Sequence, residues 1–163
     1  MTGEPPSGPP SALAVPQGMT LEQFEQVSYR LRELLNEAAE RTGDFGNDLF
    51  VHGSRAKGCA AADADLDIGI RVTADVFDQL VKDRLERVKV GGHRWKTLQV
   101  AIQHGRLHTG EAGISGVRNE IHDLINETMG LGFAKGVDMS VICAGGPFDQ
   151  GPFIVLPSRS QAK

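Results

Sequence analysis

Residues 51–72 read VHGSRAKGCAAADADLDIGIRV, and two features of this stretch decide how the chain is built. Asp65 and Asp67 alternate with Leu66 and Ile68 in a segment that otherwise has strand composition. Aspartate is disfavoured in strands, so two of them at alternate positions need a compensating role. A period of two puts both carboxylates on one face and Leu66, Ile68, Ile70 and Val72 on the other. Paired carboxylates on one rigid edge suit the divalent cations that assist phosphoryl chemistry.

Just upstream, residues 47–52 (NDLFVH) read as a short buried strand. The following SRAKG has room for one helical turn, with Ser54 as its cap and Gly58 as its stop. A strand that feeds a helix start through glycine leaves backbone N–H groups pointing outward. With the Ser54 hydroxyl they make a seat for phosphate oxygens, and Arg55 and Lys57 add positive charge beside it. Gly53, Ser54, Arg55 and Lys57 are therefore the expected phosphate-binding set. His52, before the glycine, either touches the bound ligand or fills the end of the strand.

With these residues in view, the segment VHGSRAKGCAAADADLDIGI resembles the signature of the DNA polymerase beta-like nucleotidyltransferase superfamily. That signature is a hydrophobic strand, Gly-Ser, a spacer, then Asp-hydrophobic-Asp-hydrophobic. The segment is especially similar to the small bacterial, minimal nucleotidyltransferase branch, in which alternating basic and small residues follow the glycine-serine. The match covers residues 49–72. The resemblance implies an α/β (α+β) nucleotidyltransferase fold, a small mixed sheet flanked by helices, and a third carboxylate on a later strand. Asp138 is the candidate: residues 137–143 read as a strand, with Asp138 and Ser140 on one face and Val137, Met139 and Val141 on the other. Its separation from Asp67 exceeds what one crossover helix requires. Glu127, in an expected helix, and Asp149, in a Pro/Gly-bounded loop, are the alternatives. A plain strand–turn–strand with solvent-facing aspartates is the competing account.

The resemblance further implies a chemistry. Asp65, Asp67 and Asp138 would be catalytic and would hold a pair of Mg²⁺ ions, for which Mn²⁺ substitutes. A nucleoside triphosphate, ATP by expectation, would donate AMP to a hydroxyl of a protein, RNA or small-molecule acceptor. The role implied is that of a toxin or toxin–antitoxin component, with a cognate toxin or antitoxin as partner. Two alternatives stand beside it: pyrophosphate transfer of the guanosine tetraphosphate synthetase type, and a catalytically inactive binding module that keeps the fold.

Composition sets the frame. The 163 residues are 40% hydrophobic and 23% charged, enough for one core, so a single domain over residues 20–163 is expected. Five of the eight prolines fall in the first sixteen residues, and residues 1–19 are expected to be a disordered tail or linker. No basic start precedes a long apolar run, and no stretch approaches a membrane span, so a cytoplasmic protein is expected. Cys59 and Cys143 lack metal-ligand spacing and are expected as reduced thiols. A net charge of −4 argues against a broad nucleic-acid-binding surface. Arg94, Lys96, Arg106, His108 and Arg118 form a local basic wall only if the fold gathers them.

The remaining segments read as scaffold. Thr20 and Gln23 make a capping box for a helix with the stripe Leu21, Phe24, Val27, Leu31, Leu34, Leu35 and Ala38. Thr73 caps a second helix facing inward through Val76, Phe77, Leu80, Val81, Leu85 and Val88, and Gly91-Gly92 breaks it. Residues 97–103 alternate like a strand, although their composition also permits a helix, and a strand is the expectation. Residues 116–129 form a third helix, with Val117, Ile121, Leu124 and Ile125 inward, and residues 152–157 (PFIVLP) read either as an edge strand or as a segment packed against the core. His104 and His108, four apart, would be zinc ligands on a helix, but Gly105 and Thr109-Gly110 break that pattern.

Overall fold

The fold is that of a computed structural model in which residues 13–42, 45–46, 48–129 and 136–158 are described. Helix α1 (Leu21–Thr42) starts at a reciprocal cap. The Thr20 N–H donates to Gln23 Oε1 at 2.9 Å and the Gln23 N–H to Thr20 Oγ1 at 3.1 Å. From Phe24 to Ala38 the apolar stripe is buried as its spacing predicts, whereas Leu21 in the first turn is exposed.

Strand β1 (Leu49–His52) leads through Gly53 into the single turn α2 (Ser54–Lys57), which stops at a left-handed Gly58. Gly53, not Ser54, is the N-cap. Its φ of 74° with ψ of −159° is a conformation open to glycine, so the helix start falls one residue earlier than a serine cap predicts. Strand β2 (Leu66–Val72) runs into α3 (Ala74–Leu85), where Thr73 Oγ1 accepts the Val76 N–H at 3.3 Å. Then come α4 (His93–His104), β3 (Arg106–His108), α5 (Thr109–Ala112), α6 (Ser115–Met129), β4 (Val137–Cys143) and β5 (Ile154–Val155).

The strand expected over residues 97–103 is instead the centre of α4. Gly92 at the N-cap and a left-handed Gly105 at the C-cap punctuate a helix. Leu98 and Ala101, three apart, reach the core, while Val100 is 50% exposed. Burial at helical spacing outweighs the local alternation.

The protein is thus mixed α/β, with a five-stranded mixed sheet in the order β3-β4-β2-β1-β5 and helices packed on it. Only β2 and β4 run parallel. Their crossover carries α3, α4, β3, α5 and α6, which accounts for the long separation of Asp67 and Asp138. The tail strand β5 pairs with β1 at the edge, the first of the two readings its sequence allows.

Leu66, Ile68, Ile70 and Val72 share the main core with Val137, Met139 and Val141 and with residues of α1, α3, α4 and α6. On the other face, Phe50, Ile142 and Phe153 form a smaller apolar cluster. Gly69 makes room for it, since a Cβ there would stand 2.6 Å from Phe50 Cζ and 2.9 Å from Ile142 Cδ1. Arg71 clasps the C-terminal segment to this face. Its Nε and Nη2 donate to Asp149 Oδ1 at 3.0 and 2.8 Å, and its Nη1 to Asp48 Oδ2 at 2.9 Å. The guanidinium also lies 4.5 Å from the Phe50 centroid and 4.8 Å from that of Phe153.

Residues 1–12 of the expected tail lie outside the described residues. Residues 13–19 are described and pack on the domain: Met19 is buried, and the Gln17 amide donates to Ala60 O and accepts from Ala60 N–H. Both cysteines are free thiols. Among the described residues no helix is long and apolar enough to cross a membrane.

Candidate functional site

Parallel pairing of β2 with β4 sets Asp67 directly against Asp138 in register. Adjacent strands lie about 4.8 Å apart, so the two carboxylates are neighbours on the face turned from the main core. On the far side of β2, His52 of β1 is the antiparallel partner of Asp67. The next residue is Gly53, where a Cβ would stand 2.2 Å from Asp67 Oδ2. The Gly-Ser turn and the carboxylate pair therefore abut.

The charges there are poorly neutralised. Burial, then the neighbouring charges of Asp138 and Asp65, push the Asp67 carboxyl up to about 6, while Arg106 pulls it the other way. Asp65 is exposed and precedes β2. Its Oδ1 lies 3.8 Å from where a Cβ on Gly136 would be, a point also 3.1 Å from Arg118 Nη2. Arg118 itself is held at the head of β4 by Nε donating to Val137 O at 2.7 Å.

Arg106, from the edge strand β3, reaches across β4. Its Nη2 donates to Asp138 Oδ2 at 2.6 Å and its Nε to Ser140 Oγ at 2.8 Å, and its guanidinium sits 4.3 Å from the Phe148 ring centroid. His52 packs between Phe50, at 5.6 Å between centroids, and Phe148, at 5.8 Å. Its Nε2 is buried and has no hydrogen-bond partner among the described residues. Burial first, then the charge of Arg106, hold its imidazole down at about 4 despite Asp138, so it is neutral at pH 7.

Of the expected phosphate-binding residues, Ser54 is half-buried with no partner for its Oγ among the described residues, and Lys57 is exposed. Arg55 sits differently. It is 2% exposed, and its guanidinium donates to Ala64 O at 3.0 Å, Gln17 O at 2.6 Å and Ala62 O at 2.9 Å. Its charge is spent on shaping the loop that delivers Asp65. The alternative carboxylates lie elsewhere: Asp149 is committed to Arg71, and Glu127 is exposed on α6.

Among the described residues, no three His, Cys, Asp or Glu side chains are already gathered into a metal-binding group. The donor chemistry still fits a hard divalent cation. Asp67 and Asp138 are oxygen donors in register, and the penalty that burial, and then the neighbouring carboxylates, place on an ionised Asp67 is one that a bound cation relieves. Arg106 already provides part of that relief at Asp138.

The basic wall is split. Arg94 and His108 line one surface cavity, whereas Arg106 faces Asp138 and Arg118 faces Val137. His104 ends α4 and His108 lies in β3, so they do not share a helix face. The role of Arg106 is the feature that the sequence did not signal, because β3 is a three-residue edge strand with no pattern of its own. Searches for a matching protein-family model, a matching curated protein and a matching solved structure each find none.

Proposed function

We propose that the Asp67–Asp138 face is the reaction site of a metal-dependent nucleotidyltransferase of the minimal type, moving AMP from ATP to a hydroxyl of a protein, RNA or small-molecule acceptor. The observation that carries this reading is the in-register pairing of Asp67 with Asp138 beside the Gly53–Ser54 turn. Asp65, Asp67 and Asp138 would hold the divalent ions, whose chemistry when bound is to neutralise triphosphate charge and acidify the acceptor hydroxyl.

The chain's own groups divide the remaining work. Ser54 and Lys57 bind the triphosphate tail at the glycine turn. The acceptor oxygen attacks the α-phosphorus in line, the bond to the bridging oxygen breaks, and pyrophosphate leaves with the electron pair. Asp138 takes the hydroxyl proton, and Arg106 holds that carboxylate in position. Neutral His52, walled by Phe50 and Phe148, closes one side of the site to water.

The test is incubation with each labelled nucleoside triphosphate, Mg²⁺ or Mn²⁺ and a cell lysate, followed by recovery of label in protein, RNA or small metabolites. Asp67→Asn is expected to abolish transfer while circular dichroism shows an intact fold. Transfer by folded Asp67→Asn protein would remove this site. A second reading, a binding module that keeps the fold without catalysis, is favoured by one observation: Arg106 already pairs with Asp138. It predicts nucleotide binding with no transfer of label to any fraction.

A further inference from the structure

The end of α3, the start of α4 and the β3–α5 corner enclose a surface cavity of about 510 Å³. Its charged lining is Arg84, Arg87 and Arg94 against the single carboxylate of Glu111, with His93 and His108 beside them. In a chain of net charge −4, three guanidiniums converging on one cavity stand out from their surroundings.

Arg84 is tied down. Its Nε donates to Glu111 O at 3.2 Å and its Nη2 donates to Gly110 O, which fixes α3 to the β3–α5 corner. Glu111 is also engaged, its Oε1 accepting the His108 N–H at 3.0 Å. Arg87 and Arg94 are different: among the described residues neither guanidinium has a hydrogen-bond or ion-pair partner. The first turn of α4 carries no acidic residue, and its N-cap, Gly92, offers no side chain. Unpaired like charges around one concavity repel, and a multiply charged anion is the ligand that turns this cost into binding. The forked guanidinium matches phosphate oxygens in particular. The volume suits a ligand of nucleotide size.

His108 lines the cavity and is the register partner of Ser140, two residues beyond Asp138 on β4 and hydrogen-bonded to Arg106. The cavity thus opens at the β3 edge on the helix-covered side of the sheet, where Leu98 and Val88 of its lining meet the main core, whereas the carboxylate pair is on the opposite face.

We infer that this cavity binds the phosphate groups of a phosphorylated ligand, as a site separate from the Asp67–Asp138 face. The binding does not rest on the nucleotidyl-transfer reading.

The experiment measures binding of two probes, adenosine 5′-monophosphate and a short 5′-phosphorylated oligoadenylate, by fluorescence anisotropy and calorimetry. It compares the wild type, the double variant Arg87→Ala/Arg94→Ala and the charge-retaining Arg87→Lys/Arg94→Lys, each also in an Asp67→Asn background that removes the proposed transfer chemistry. Both arginines are exposed, so the variants are expected to fold as the wild type does, which circular dichroism checks. The alanine pair should weaken binding on the order of ten-fold or more, and the lysine pair should recover part of it, in both backgrounds. Oligoadenylate bound much more tightly than the mononucleotide identifies a nucleic-acid end as the ligand, and equal affinities identify a free nucleotide. Absence of binding by the wild type, or equal affinity in the alanine pair, overturns the inference. Loss of transfer in Asp67→Asn with cavity binding unchanged separates this inference from the fate of the transfer reading.

Discussion

Gly53 and Asp67 fit together only because the first has no side chain: a Cβ on Gly53 would stand 2.2 Å from Asp67 Oδ2. Its φ of 74° adds a second demand for glycine. Gly53→Ala should therefore cost about 2–4 kcal/mol of folding stability through clash and backbone strain together. Adding Asp67→Ala should return the clash component and leave the backbone strain. A double-mutant cycle by urea unfolding measures that coupling, and additive costs would contradict the contact.

Asp67 and His52, register partners across β1 and β2, are expected to oppose each other in acid. The folded pKa of Asp67 is raised from 3.8 to about 6, so its contribution is present at low pH and lost as pH rises through about 6. The folded pKa of His52 is depressed from 6.5 to about 4, so its contribution is present above 6.5 and lost as pH falls through about 4. Over the shared window these slopes largely cancel. Asp67→Asn should unmask acid destabilisation, and His52→Gln should unmask stabilisation on acidification, each on the order of 1–2 kcal/mol after allowing for partial exposure. Urea midpoints at pH 4 and pH 7 for the three proteins decide it, and profiles parallel to the wild type would refute the opposition.

Arg106 influences both groups, lowering each. Arg106→Gln is expected to raise the His52 pKa above about 4 and that of Asp67 above about 6. Side-chain NMR titration of the imidazole and carboxyl signals provides the readout. An unmoved His52 would mean that Arg106 is not held across β4 in solution.

The Arg71 clasp makes a pure stability prediction. Asp149→Ala leaves a guanidinium with 6% side-chain exposure facing no buried counter-charge, at a cost of about 3–5 kcal/mol. Asp48, whose side chain is 37% exposed, should cost about 1 kcal/mol or less when changed to alanine. Thermal unfolding of the two variants ranks them, and equal costs would be inconsistent with a clasp centred on Asp149.

Divalent cations supply a further check on the carboxylate pair. Mg²⁺ or Mn²⁺ should raise the melting midpoint of the wild type, and Asp67→Asn/Asp138→Asn should abolish that rise. An equal rise in the double variant would place the cation elsewhere.

Much of this arrangement was legible in the amino-acid order. Helix α1 with its reciprocal Thr20–Gln23 cap, the Thr73 cap of α3 and the bounds of β4 follow from local signals whose physics acts within a few residues. So does the alternation that places Asp67 on one face of β2 and Ile68 on the other. Residues 97–103 misled because their alternation is local, whereas the burial of Leu98 and Ala101 depends on a core assembled from distant segments. Arg55 misled for a related reason: its neighbours in sequence suggest a phosphate partner, but three carbonyls from two loops claim its guanidinium.

By itself the sequence determined most of the elements around the site and the residue types offered to it, because periodicity, capping and glycine conformations are short-range properties. Tertiary structure alone decided that Asp138 lies in register with Asp67, that Arg106 reaches it from a separate strand, and that Arg87 and Arg94 share a cavity. Those neighbours are joined by strand pairing and core burial across a long crossover, and contacts between residues so far apart in the chain leave no periodic trace in it.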